Sequence, residues 1–111
     1  MGKGSSFKTR LSNSKTSYPK SLKYTLGGKV YTINAGFKLT DIETIAGKGS
    51  KTTYRKAKFT AHNYGGKAKD WSKKKGFTAA NEHILEVHWL QHKDIGKKSA
   101  KVKYPKKDKY K

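Results

Sequence analysis

The chain has 111 residues, enough for one domain, since single cores span about 50–200 residues. Its 27 Lys and Arg against 7 Asp and Glu give a net charge of +20, which points to a polyanionic partner, nucleic acid or an anionic membrane surface, and argues against a metabolic enzyme with no acidic substrate. Leu, Ile, Val and Phe together number only 18, below the roughly 20 % at which high charge usually accompanies disorder, so folding depends on where those residues fall.

They fall in the middle. Residues 1–28 hold six basic residues, six Ser and no acid, and residues 93–111 hold nine Lys against Asp94 and Asp108. Between them lie both Trp and most of the aliphatic side chains. The expected organisation is a basic, Ser-rich extension over 1–20, a single domain over 21–104 and a Lys-rich tail over 105–111. The absence of Cys excludes disulfides, a thiolate zinc site and a cysteine nucleophile. No apolar stretch approaches the roughly 18–20 residues that span a bilayer, so stable membrane insertion is not expected. Nothing near Met1 has the apolar core of a signal peptide, so export would need a carrier.

In chain order, residues 21–26 and 29–33 alternate apolar with polar around Gly27-Gly28. This predicts a hairpin with Leu22 opposite Ile33 and Tyr24 opposite Tyr31, because both glycines can take positive φ. Residues 37–45 read as a further strand, ending in the turn Ala46-Gly-Lys-Gly-Ser-Lys51. From Thr52 the period lengthens: Tyr54, Ala57, Ala61 and Tyr64 recur at three- and four-residue steps, and Gly65-Gly66 supplies a C-terminal cap. The polar side of this helix presents Arg55 and Lys56, with Lys58 beside them. Alternation returns over 73–79, 83–91 and 99–104, the last two joined by a turn over 92–97. The order is α+β: a helix packed on a curved antiparallel sheet.

The period of two fixes which residues meet. Leu85, Val87 and Trp89 share one face with Ala100, Val102 and Tyr104, which leaves Glu86 and His88 on the other face with Lys101 and Lys103. Lys73 and Lys75 of the preceding strand join them, and His88 is expected to face solvent. One carboxylate, one imidazole and several ammonium groups suit phosphodiester cleavage in RNA. The 2′-hydroxyl loses a proton as it attacks phosphorus, the leaving oxygen gains one, and lysines stabilise the charge that builds on the phosphate. This chemistry requires no metal and no other cofactor. A plain salt bridge on a solvated face is the blander reading. His83, His88 and His92 do not make a zinc set, since strand positions 83 and 88 point to opposite faces. The turn after residue 45 lacks Walker spacing, but its backbone amides, with Lys48, Lys51 and Arg55, could hold a phosphate.

Phe37, the Ala46-Gly-Lys-Gly-Ser-Lys51 turn, Asn63-Tyr-Gly-Gly66, Trp71-Ser-Lys-Lys-Lys-Gly76, Glu86-Val-His-Trp-Leu-Gln91 and Ile95-Gly-Lys-Lys-Ser-Ala-Lys-Val-Lys103 occur in that order. The series resembles the C-terminal toxin domains of bacterial polymorphic and contact-dependent growth inhibition proteins, over about residues 36–104. The resemblance implies the fold of the barnase, EndoU, colicin and RelE-type ribonucleases and cleavage of RNA, tRNA foremost. It also implies His88 as principal acid/base, with Lys48, Lys101 and Lys103 on phosphate. Export as the end of a larger protein, action in a target-cell cytoplasm and neutralisation by an acidic immunity protein are implied as well. The alternative from charge alone is a non-catalytic nucleic-acid-binding protein, ribosomal or phage-associated, which has no use for Glu86 among phosphate-binding lysines. A binder of anionic membranes is less well supported, because no segment joins a basic face to a broad apolar one.

Overall fold

The computed structural model describes residues 14–103, which form seven strands and one α-helix. Strands β1 (Lys15–Tyr18), β4 (Phe37–Gly47), β5 (Ser72–Ala80), β6 (His83–His92) and β7 (Gly96–Lys103) make an antiparallel sheet in the order β1-β4-β5-β6-β7. Strands β2 (Leu22–Leu26) and β3 (Lys29–Ile33) form a separate two-stranded hairpin. The class is α+β, a curled antiparallel sheet with a helix. Among the described residues, no helix is long and apolar enough to cross a membrane.

The hairpin register is the expected one, Leu22 opposite Ile33 and Tyr24 opposite Tyr31. Gly27 and Gly28 take φ of 59° and 81°, the left-handed pair that a two-residue turn between twisted strands requires. Lys15–Tyr18, inside the stretch read as a basic extension, is strand β1, paired along the first four residues of β4. The remainder of that extension, Tyr104 and the Lys-rich tail lie outside the described residues. Strand β7 begins at Gly96, three residues before the expected start, so the turn after β6 is tighter than its sequence suggests.

Curling has an identifiable origin. The register slips between Thr40 and Glu43 and between Thr44 and Ala46 on β4, and between His88 and Leu90 on β6. Asp41 (φ 54°) and Ser99 (φ 52°) lie at two of these irregularities, and such bulges bend a strand and increase its twist. The sheet thereby closes over Tyr18, Leu39, Val87 and Trp89, with Phe37, Ile42 and Val102 packed beside them. The hairpin covers the same face through Tyr24 and Ile33, which bury Leu85. Each of Leu39, Leu85 and Val87 is fully buried, a contribution of about 1.5–3 kcal/mol apiece against an exposed side chain.

The helix lies against the opposite face. It runs Ala57–Tyr64 (α1), shorter than the expectation from Thr52, because Tyr54 folds back on it instead of continuing the spiral. The Thr60 hydroxyl donates to the Lys56 carbonyl at 3.0 Å, so the Tyr54 hydroxyl is the donor in its 2.6 Å contact with Thr60. The helix buries little of its own surface and is held at its end. Gly65 terminates it with its N–H on the Ala61 carbonyl, and a 3₁₀ turn over Ala68–Asp70 then delivers Trp71. Trp71 is wholly buried, donates its indole N–H to the Gly65 carbonyl at 2.9 Å, and packs against Tyr64 and His92. A hydroxyl pair, Tyr64 with Ser99 at 2.9 Å, ties α1 to the bulge of β7.

Candidate active site

Strand β6 carries the central pair. Its register sets Glu86 between Phe77 of β5 and Lys103 of β7, and His88 between Lys75 and Lys101. The side chains of Glu86 and His88 meet on the face away from the core, Nε2 to Oε2 at 2.6 Å. A carboxylate only accepts, so Nε2 carries the proton and donates it. Nδ1 of His88 is buried and has no hydrogen-bond partner among the described residues. The His88 side chain is 18 % exposed and Glu86 19 %, which corrects the expectation that His88 stands in solvent. The cause is the wall built by Thr53, Tyr54, Arg55 and Lys56, the residues that lead into α1, whose position over the sheet cannot be read from strand alternation.

That wall and the sheet enclose a cleft of about 400 Å³. Lys73, His88, Lys101 and Lys103 line it from the sheet, and Tyr54 and Arg55 line it from the wall. Arg55, Lys56, Lys73, Lys101 and Lys103 thus place five cationic side chains around one imidazole, to which the Glu86 carboxylate is hydrogen-bonded. Like charges gathered so closely repel one another, and a bound phosphate relieves that repulsion. Of the expected sheet-borne residues, Lys73, His88, Lys101 and Lys103 line the cleft, Glu86 stands behind it and is joined to it through His88, and Lys75 is apart. The Lys75 ammonium lies 3.6 Å from Glu43 on β4, and it does not line the cleft.

Lys48 and Lys51 are placed elsewhere. They belong to a neighbouring groove of about 670 Å³, formed by the turn after β4, the start of α1 and the 3₁₀ turn. Lys48 also sits 3.6 Å from Asp70. The amides of Gly47, Lys48, Ser50 and Thr52 are all bonded within the protein, to Thr52, Trp71 and Gly47 carbonyls and the Ser50 hydroxyl respectively. This corrects the expectation of a backbone phosphate cradle there, because a nest needs successive free N–H groups. Arg55 alone of the expected phosphate ligands lines both spaces.

Sequence reasoning missed Tyr54, Lys56 and Ser99 as cleft residues. Tyr54 carries a helical period signal that read as packing, and Ser99 reaches the cleft only because its left-handed backbone forms a bulge. Two of the other histidines, His83 and His92, are occupied apart from this cleft, and His62 is exposed on α1. His83 Nδ1 accepts from the Tyr24 hydroxyl at 2.7 Å beneath the hairpin, and His92 Nδ1 accepts the Asp94 N–H at 3.1 Å beside Trp71. No family model matches the chain, and neither a curated protein nor a solved structure is similar to it.

Proposed function

We propose that this protein is an endoribonuclease whose cleft cuts RNA by attack of the 2′-hydroxyl on the adjacent phosphate. The observation that carries the reading is the Glu86–His88 pair, 2.6 Å apart on a face otherwise furnished with cations. A pure phosphate binder gains nothing from a carboxylate in that position, whereas proton transfer at phosphorus uses it.

In-line displacement needs a base and an acid on opposite sides of the phosphorus. Two groups hydrogen-bonded to each other cannot occupy those positions, so RNA enters by exchanging their mutual bond for bonds to itself. Glu86 then takes the 2′-hydroxyl proton, and the 2′-oxygen forms its bond to phosphorus. The bond from phosphorus to the 5′-oxygen breaks, and His88, which must enter this step as the imidazolium, protonates that oxygen from Nε2 and is left as the neutral ring with its proton on Nδ1. The products are a 2′,3′-cyclic phosphate and a 5′-hydroxyl. Lys73, Lys101, Lys103 and Arg55 offset the charge that grows on the nonbridging oxygens. These residues supply acid, base and countercharge without a metal. Removing acid/base function of this kind typically costs about 10²–10⁴ in rate.

The resemblance to contact-dependent toxin domains makes tRNA the preferred substrate. It supports the barnase-like and RelE-like ribonuclease fold as the finer description. In that setting the domain is delivered by a larger exported protein, acts in the cytoplasm of the target cell and is held inactive by an acidic immunity protein. Incubation of total RNA with the protein in EDTA tests the proposal. Discrete tRNA fragments are expected, and intact RNA bound in a salt-dependent manner would identify a non-catalytic binder instead.

A further inference from the structure

We propose that the groove beside the cleft is a second polynucleotide site, which holds the phosphates of a single strand beyond the scissile one. The identity of that strand as RNA rests on the nuclease reading; the groove's affinity for a phosphate chain does not. Among the described residues, five cationic side chains line it, Lys48, Lys51, Arg55, Lys58 and Lys69, and no carboxylate does. They come from three separate segments, the turn after β4, the first part of α1 and the 3₁₀ turn, so their convergence is a product of the fold and not of one basic run. Among the described residues, only Lys48 of these five has an ion-pair partner, Asp70, and Lys48 remains largely exposed.

Continuity with the cleft decides between a single phosphate and a chain of them. Thr53, Tyr54 and Arg55 line both spaces, so one wall is shared and the Arg55 guanidinium stands at the junction. A mononucleotide would fill one space and leave the other's cations unneutralised, whereas a strand with a phosphate at every residue engages both. The half-buried Tyr54 ring lies between them, and a ring beside a cationic track is the usual arrangement for holding a base by stacking while lysines follow the backbone. The internally bonded turn keeps the groove's floor in place, so its specificity is for charge spacing and not for a particular base.

Single-stranded DNA tests the groove independently of catalysis, because it lacks the 2′-hydroxyl that the cleavage chemistry needs. Binding of a trinucleotide and of an oligodeoxynucleotide of about ten residues to the full chain is measured across a salt series. The longer strand should bind more tightly, with a steeper salt dependence. Lys58→Ala combined with Lys69→Ala, both exposed side chains, should make the slope of log K against log salt shallower by about 1.4, from about 0.7 per phosphate contact on a single strand. Affinity for the longer strand at low salt should fall on the order of tenfold. Lys23→Ala combined with Lys29→Ala removes the same charge from the hairpin, outside both spaces, and should cost markedly less. Equal losses in the two double variants, or a longer strand that binds no better than the trinucleotide, would overturn the second site. Neither result would bear on whether RNA is cut.

Discussion

Gly47 is where the structure leaves least room for a side chain, and its substitution has a calculable effect. The residue closes β4 opposite Ser72 with φ of 85°, and a Cβ there would collide with the Trp71 backbone carbonyl while lying 2.9 Å from Ser72 Cα and 3.2 Å from Tyr54 Cβ. Gly47→Ala therefore adds two costs: about 1–2 kcal/mol for a left-handed backbone and about 1–3 kcal/mol for overpacking against backbone atoms that cannot swing aside. Gly28→Ala is the matched control. Its φ is 81°, but no described residue comes within 4 Å of an added Cβ, so only the backbone cost applies. At about 4–8 °C per kcal/mol for a domain of this size, thermal unfolding should fall by roughly 15 °C for Gly47→Ala and roughly 5 °C for Gly28→Ala. The strain at residue 47 also presses on Tyr54, so RNA cleavage measured well below the unfolding transition should drop in the first variant and not in the second. Equal melting shifts would refute the close approach of β4 to Trp71.

Three further outcomes follow from single side chains. Tyr24→Phe removes the hydroxyl that donates to His83 and accepts from Asn81, so stability measured by urea unfolding should fall by about 1–2 kcal/mol, with RNA cleavage retained because the hairpin covers the other face. Tyr64→Phe removes the exposed tie between α1 and Ser99, and its cost should be about 0.5 kcal/mol by the same measurement; a loss of several kcal/mol would mean that this bond, and not Trp71, holds the helix. Glu86→Gln keeps shape and a hydrogen-bonding oxygen but loses the base. In steady-state cleavage kcat should fall by about 10²–10⁴ with KM little changed, whereas a rate close to normal would reduce Glu86 to an ion-pair partner.

Strand alternation was the informative signal in this sequence. It places Leu85, Val87 and Trp89 inward and, through pairing, brings Glu86 and His88 to the same face as Lys101 and Lys103, as the strand register has them. Gly27-Gly28 fixed a hairpin register because a two-residue turn leaves no slack. What alternation cannot encode is the slip of register at a bulge, so the cleft position of Ser99 was hidden. Nor does it report how a short polar helix sits over a sheet. The partial burial of His88 and the entry of Tyr54 into the site depend on how Trp71 and Gly65, far from β6 in sequence, anchor the helix. Lys75 shows the converse limit: the right face and the right strand, but a closer carboxylate in Glu43 on the neighbouring strand. Lys48 and Lys51 share a groove with Arg55, because the turn that carries them opens there and not on the cleft.

The central claim is that the Glu86–His88 pair moves protons during RNA cleavage, and the most direct measurement compares the native protein with His88→Ala on purified tRNA in EDTA, reading the chemistry of the new ends. The account predicts 2′,3′-cyclic phosphates and 5′-hydroxyls from the native protein, and a rate lower by about 10²–10⁴ in a variant whose melting profile shows it folded. Undiminished cleavage by folded His88→Ala, or ends of another kind from the native protein, would contradict it.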